Sequence, residues 1–310
     1  MIIFCDFLPL VFINFLSKNL GETEAEEDDC KDFIFHRFVF GIRNQDGFGN
    51  LTGFENMNTL NLLKKYIVDS QIFVSLMGTL FALFFMFEQN IIKTPTIALI
   101  FITFFSGYLY TKYQNSGKLF YKILALNIIS GIFCAILIIY NHNIDRLIKW
   151  FIIVVIGLLY DSSFLKFFVR KIPLFKIFYV GLTWALINSW LILPEFNPKI
   201  FWISWLFITA LVLPFDIRDM KSDDVITFPR LIGIQNTKFL AYFLVFISLM
   251  ISIFALKTEY SIAFFLTSIF TFFLIYFSEN SNKDSYFSFW VESCSGVPFL
   301  IIFFFDFFKN

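Results

Sequence analysis

The sequence predicts an all-α, polytopic membrane protein with about nine transmembrane helices, and three observations predict it. Of 310 residues, 58% are hydrophobic and 15% charged, and a mean hydropathy of +0.74 leaves too little polar surface to cover a water-soluble domain. The apolar residues gather in runs of the length that crosses a hydrocarbon layer of about 30 Å. The lysines and arginines outside the first 60 residues, assigned alternately to two sides of those runs, fall fourteen to six in favour of the side that carries Lys64 and Lys65. That asymmetry is the one expected when this side is cytoplasmic.

Residues 1–60 differ from the rest. The apolar run "MIIFCDFLPLVFINF" is interrupted by Asp6 and Pro9, the acidic "GETEAEEDDCKD" follows, and then a Gly- and Asn-rich stretch. The run lacks the basic n-region and small-residue cleavage site of a signal peptide. The expectation is an N-terminal extension, in part disordered or interfacial, preceding a transmembrane domain over 61–310. Within that domain the apolar runs are 66–87, 91–110, 119–140, 147–160, 172–193, 198–215, 236–256, 260–277 and 286–308. The fourth is short and needs tilt or flanking residues to span.

Phenylalanine supplies 49 residues, so a single aromatic carries little functional meaning and is read as lipid-facing or packing. Cys5, Cys30, Cys134 and Cys294 form no CxxC, and His36 and His142 stand in no ligand spacing, which argues against a disulfide framework or a zinc site. No basic tract points to nucleic acid.

One polar stretch is out of place among these runs: "LPFDIRDMKSDDVITFPRLIG", 213–233, with Asp216, Asp219, Asp223 and Asp224 at the mouth of an apolar helix. Asp216, Asp219 and Asp223 stand at i, i+3 and i+7, which on an α-helix places them within a sector of about 60°. Arg218, Lys221 and Asp224 are rotated away. A solvated acidic loop is the plain alternative, but such a loop has no reason to align three carboxylates. Three carboxylates on one face ionise together only when a cation compensates them. Oxygen-only ligation suits Mg²⁺, which takes one or two carboxylates together with substrate phosphates.

"DIRDMKSD" resembles the D-x-x-D-x-x-x-D second aspartate-rich motif of the UbiA family of intramembrane prenyltransferases, and "TFPRLIG" resembles the T-(L/F)-P-x-x-x-G element after it. "LLYDSSFLKFF" is similar to the Tyr-then-Lys element after the family's fourth helix, and "RKIPLFKIFYVGLTWAL" to the start of the fifth. The resemblance covers roughly residues 58–310. It implies a UbiA-like ring of about nine helices around a lipid-accessible cavity in the membrane, that of a bacterial inner (cytoplasmic) membrane, with the acidic loop cytoplasmic. It also implies Mg-dependent transfer of an isoprenyl group from a diphosphate donor to a lipophilic aromatic or lipid acceptor. On this resemblance Asp216, Asp219 and Asp223 are the catalytic, Mg²⁺-binding residues, and Tyr160, Lys166 and Arg218 are candidates for diphosphate contact. Lys166 is equally an ordinary positive-inside anchor.

The chain departs from the family where the first motif, N-D-x-x-D-x-x-x-D, is expected. No acidic residue occurs from Gln89 to Asn141, where the oxygen donors are Ser106, Tyr108, Tyr110, Tyr113, Gln114 and Asn115. The second loop is also short, with three residues between Asp223 and Thr227. One reading has Lys112 and Lys118 grip the diphosphate in place of the missing charge, with Asp161 either joining the metal shell or pairing with Lys166 or Arg170. A second is a catalytically degenerate relative that binds a lipid or a protein partner. A third is a cation-coupled carrier, for which acids are needed near mid-membrane, whereas here they cluster at one mouth. Glu292, in "FWVESCSGVPF", either lines the cavity on the acceptor's side or is bundle-interior polarity, and Trp184 either packs the wall or faces lipid.

The alternation of sides yields a direct test. Cysteines introduced at Asn115 and Ser222 in a cysteine-free background are expected to react with an impermeant maleimide from the same side of the membrane. Labelling from opposite sides overturns the arrangement.

Overall fold

Nine α-helices occupy the described residues, and each follows one of the apolar runs. The structure is a computed structural model that describes residues 71–114, 117–160, 172–222, 225–279 and 281–309. The extension expected over 1–60 lies outside the described residues, as does the start of the first run.

The helices are α1 (Ile72–Glu88), α2 (Thr94–Tyr113), α3 (Lys118–Tyr140), α4 (Ile144–Tyr160), α5 (Phe175–Leu186), α6 (Pro198–Arg218), α7 (Phe228–Ala255), α8 (Thr258–Tyr276) and α9 (Glu292–Lys309). A π-helical segment, Ile187–Leu191, prolongs α5, and another, Tyr286–Val291, leads into α9. Among the described residues there is no strand. Six helical stretches are long and apolar enough to cross a membrane: α2, α3, α6 with the turn after it, α7, α8, and α9 with its π segment. The chain is therefore an all-α membrane protein. In hydrocarbon every backbone N–H and C=O needs an internal partner, and a helix supplies it within its own segment.

Each helix packs against the next along the chain, and α9 returns to pack against α1, so the neighbours form a closed circuit. The members are unequally covered. On α3 the isoleucines at 128, 129, 132, 136 and 139 are exposed, the stripe of a helix that turns one side to lipid. Helix α1 has 17 residues, and buried side chains on all sides, Phe81, Ala82, Phe84, Phe85 and Met86 among them. At 1.5 Å per residue it is only about 25 Å long, a length that is sufficient for a helix enclosed by protein. Its aromatics interlock with α6 and α8: the Phe81 ring lies 5.6 Å from Phe207, and Phe207 lies 5.0 Å from Phe264. This plug fills the interior between α1, α6 and α8.

The helix ends are tied by hydrogen bonds at each end of the bundle. At one end Arg146 Nη1 donates to Thr96 Oγ1 at 2.8 Å, and Lys149 Nζ donates to the carbonyls of Leu193 and Pro194 at 3.1 and 2.7 Å. Lys257 Nζ at that end donates to the carbonyl of Glu88, the last residue of α1. Asn197 caps α6, its Oδ1 accepting from the N–H groups of Lys199 and Ile200. At the other end the N–H of Leu174 donates to Ile226 at 3.3 Å, and Lys238 Nζ donates to the Tyr276 carbonyl at 2.7 Å.

Two features depart from the sequence expectation. Helix α7 begins at Phe228 instead of 236, because Pro229 opens a first turn that is interrupted at Gly233, where φ is 82°. That left-handed backbone is strained for any residue with a Cβ. The π segments, each an extra residue accommodated in a widened turn, leave no mark in hydrophobic periodicity.

The packing of α5 on α6 is set by a glycine. A Cβ built at Gly181 would stand 2.3 Å from Thr209 Oγ1 and 3.0 Å from the backbone carbonyl oxygen of Trp205. Backbone cannot rotate away, so Gly181→Ala is expected to destabilise by roughly 1 to 3 kcal/mol, read as a lower thermal midpoint in detergent, with only partial rescue by Thr209→Ala. At Gly296 the contacts are the flexible ends of Met77 and Leu80, and Gly296→Ala is expected to cost less. Equal losses at both positions would contradict this account of the contact.

Candidate functional site

The site is built at the end of the bundle where α6 stops. Asp216 lies in the last turns of α6 and is withdrawn from solvent, with its side chain 3% exposed. A carboxylate so placed loses its hydration and requires a compensating cation. The cation comes from the first turn of α5: Lys176 Nζ stands 3.0 Å from Asp216 Oδ1. Lys176 can reach because α5 starts immediately after Leu174, whose φ of 63° turns the chain into the helix.

Helix α6 ends at Arg218, and Asp219–Lys221 form a 3₁₀ turn. The α-helical face expected to carry three aspartates therefore does not continue past Arg218, because the tighter turn changes the angle between successive side chains. Asp216 and Asp219 are nonetheless at the same helix end. Asp223 and Asp224 lie outside the described residues, as do Asp161, Lys166 and Asn115 and the side chain of Lys118.

Arg218, expected on the opposite face from the aspartates, is tied to one of them. Its Nε donates to Asp219 Oδ1 at 2.7 Å and its Nη2 to Oδ2 at 2.9 Å, the fork-to-fork geometry that guanidinium and carboxylate share. The guanidinium lies over the Phe215 and Phe287 rings, 5.2 and 5.8 Å from their centroids. The following chain is fastened by Arg230 Nε, which donates to the Met220 carbonyl.

Sequence reasoning did not anticipate how the other helices converge here. Arg218 is also in the electrostatic field of Asp284 and Glu292, and Glu292 is in the fields of Arg218 and Lys112. Glu292 acts in turn on Tyr108. Tyr108 and Lys112 are four residues apart on α2 and share a face, a signal present in the sequence. Tyr108 oxygen accepts from Trp184 Nε1 at 3.1 Å, and Trp184 packs on Phe104 at 4.7 Å, so Trp184 is a buried wall residue and not a lipid-facing one. Tyr160 stacks on Tyr179 at 5.8 Å, and Tyr179 is anchored by a 2.7 Å hydrogen bond to the Ile156 carbonyl. The sequence-predicted Lys112, Tyr160, Asp216 and Arg218 thus stand on helices α2, α4 and α6, and Asp219 in the turn after α6, at the end of the bundle where α5 and α9 begin.

The donor set bears on Mg²⁺. Among the described residues no three His, Cys, Asp or Glu side chains are grouped for a metal. Mg²⁺ takes one or two carboxylates and completes its octahedron with phosphate and water, and Asp216 and Asp219 are two carboxylates at this helix end. Each is already neutralised by a protein cation, so a metal entering here would displace Lys176 and Arg218 from their carboxylates.

The Lys176–Asp216 pair can be probed by itself. Lys176→Met removes the cation beside a desolvated carboxylate and is expected to destabilise on the order of 3 kcal/mol. The double variant Lys176→Met/Asp216→Leu is expected to recover most of that loss in a thermal-unfolding series; a double variant no better than the single would show that the pair is not the term that matters.

No protein-family model matches the chain, and no curated protein or solved structure matches it, so its function is argued from these residues.

Proposed function

We propose that the chain is a divergent prenyltransferase that resembles the UbiA family and transfers an isoprenyl group from a diphosphate donor to a lipophilic acceptor within the membrane. The nine helices cross a bacterial inner membrane with the acidic mouth cytoplasmic. The observation that carries the reading is the grouping of Asp216, Asp219, Lys176 and Arg218 at the mouth that Lys112 and Glu292 also face. A solvated loop would have no reason to bury Asp216 or to clamp Arg218 between an aspartate and two phenylalanines.

In this reading Asp216, Asp219 and Asp223 hold Mg²⁺, which when bound neutralises the negative charge of the leaving diphosphate. Lys176 and Arg218, released from their carboxylates, turn to the phosphate oxygens. Arg218 suits this because its planar fork binds phosphate as it binds a carboxylate. Lys112 supplies positive charge from α2, where the family's first motif has carboxylates. The aromatic faces of Tyr160, Tyr179 and Trp184 exclude water and stabilise an allylic cation through their quadrupoles.

A second reading rests on the departure from the family: with no acidic residue from Gln89 to Asn141, the chain is a non-catalytic relative that retains ligand binding. Turnover separates the two. Purified protein is expected to bind geranyl diphosphate in a Mg²⁺-dependent manner, and Asp219→Asn is expected to weaken that binding about tenfold or more. Lys199→Ala, at the opposite end of α6, should leave it unchanged. Binding without release of diphosphate, over a panel of acceptors, selects the second reading. Binding indifferent to both Mg²⁺ and Asp219 overturns the first.

A further inference from the structure

A cleft that the diphosphate grip does not use lies between the end of α8 and the start of α9. The apolar stretches Thr258–Tyr276 and Tyr286–Phe308 flank it in the chain, so the connection between them falls where hydrocarbon gives way to lipid headgroups. The cleft has a volume of about 370 Å³, opens to the surface, and is lined by Phe277, Asn282, Lys283, Ser285, Tyr286 and Trp290. That volume is within the roughly 300 to 1,000 Å³ of sites that take a small ligand. The π turn into α9 separates it from the mouth: Phe287, under the Arg218 guanidinium, and Val291 are buried, whereas Tyr286 and Trp290 turn to the cleft. The Phe277 and Trp290 rings are more than half exposed. Two of the polar side chains are already committed, the Tyr286 hydroxyl to the Leu274 carbonyl and Asn282 Nδ2 to the Phe277 carbonyl. Two are not: Lys283 Nζ and Ser285 Oγ make no hydrogen bond or ion pair among the described residues. No carboxylate lines the cleft. Of the acids in this connection, Glu279 is paired with Lys238 at 3.5 Å, and Asp284 lies outside the lining and acts on Arg218.

We propose that this cleft binds the headgroup of a net-anionic phospholipid, with the Lys283 ammonium and the Ser285 hydroxyl donating to its phosphodiester oxygens and the glycerol and first acyl carbons lying against Phe277 and Trp290. The class of ligand follows from charge. A phosphodiester supplies the anion that Lys283 lacks and an acceptor for Ser285 in one group, and basic pockets beside membrane spans take anionic headgroups for this reason. A zwitterionic lipid brings the same phosphate together with a cation, which Lys283 repels and which no carboxylate of the lining compensates. The source of the phosphate follows from the walls. Exposed aromatic rings at the membrane boundary suit a molecule with an apolar body, and a free phosphate leaves them uncovered. The site goes beyond the prenyl-transfer reading and does not depend on it, since none of the lining residues belongs to the diphosphate grip.

The test uses the full chain, purified in a neutral detergent and stripped of lipid, and titrated separately with dioleoyl phosphatidylglycerol and dioleoyl phosphatidylcholine, with bound lipid counted by native mass spectrometry. The wild type is expected to bind the phosphatidylglycerol at least about fivefold more tightly, and Lys283→Gln to reduce that preference to within about twofold. Lys283→Arg, which keeps the charge, should keep the preference. Trp290→Ala is expected to weaken both lipids alike, about threefold or more, because it removes wall and not charge. Lys199→Gln, at the opposite end of the bundle, should change neither affinity. Lys283 and Trp290 are exposed, so the lipid-free variants should keep the wild-type unfolding midpoint. Millimolar inorganic phosphate should leave the lipid bound. Equal affinity of the wild type for the two lipids overturns the proposal, and so does a preference that survives Lys283→Gln. An equal loss in Lys199→Gln overturns it by tracing the preference to overall charge. Tighter binding of the phosphatidylcholine would make the rings a cage for its ammonium, and displacement by inorganic phosphate would make the cleft a site for soluble phosphate; either result overturns the anionic-lipid assignment.

Discussion

A carboxylate kept out of water at the end of α6 is the constraint on which the rest of this mouth depends. Asp216 cannot be both ionised and buried without a cation close by, and the first turn of α5 provides one in Lys176. That pair brings the start of α5 to the end of α6. The Leu174 to Ile226 hydrogen bond brings the approach to α7 to the same place. Three helix ends are thereby set before any apolar contact is considered, and the aromatic packing of Phe178 with Trp205 and Phe228 continues the same arrangement inward.

Buried ion pairs are poor stabilisers compared with apolar residues of the same volume. A membrane protein with 49 phenylalanines has no shortage of apolar alternatives. The plug of Phe81, Phe84, Phe207 and Phe264 shows how this chain packs a purely structural interior. At the mouth it packs carboxylates, a lysine and an arginine instead, and it holds the arginine over two rings. The contrast between the two regions of one molecule is the physical argument for ligand chemistry at the mouth.

Helix existence was legible from the sequence because hydrocarbon imposes it: runs of apolar residues can satisfy their backbone only as helices, and all nine runs contain one. Their ends were less legible. The start of α7 at Phe228 depends on Pro229 and on the backbone freedom of Gly233, neither of which is apolar. The two π segments depend on tertiary packing, which periodicity does not encode. For the site, the importance of the 213–233 stretch could be read because charge stands out against an apolar background. The pairing within it could not. Helical geometry assigned Arg218 to the face away from Asp219, and that inference assumed an α-helix that ends at Arg218. Once the turn tightens, the neighbouring carboxylate is the nearest acid and the long guanidinium side chain folds back onto it.

The convergence of Tyr108, Trp184, Arg218 and Glu292 had no local signature, since each comes from a different helix. What joins them is the closure of the circuit, with α9 packed on α1 and its leading π segment in contact with α6. A π turn inserts a residue and so rotates everything after it relative to an α-helix. Glu292 is the first residue after that insertion. Had the segment continued as an α-helix, the same sequence would carry Glu292 about a quarter-turn away from its present direction. The local irregularity and the placement of the carboxylate are thus two aspects of one structural choice.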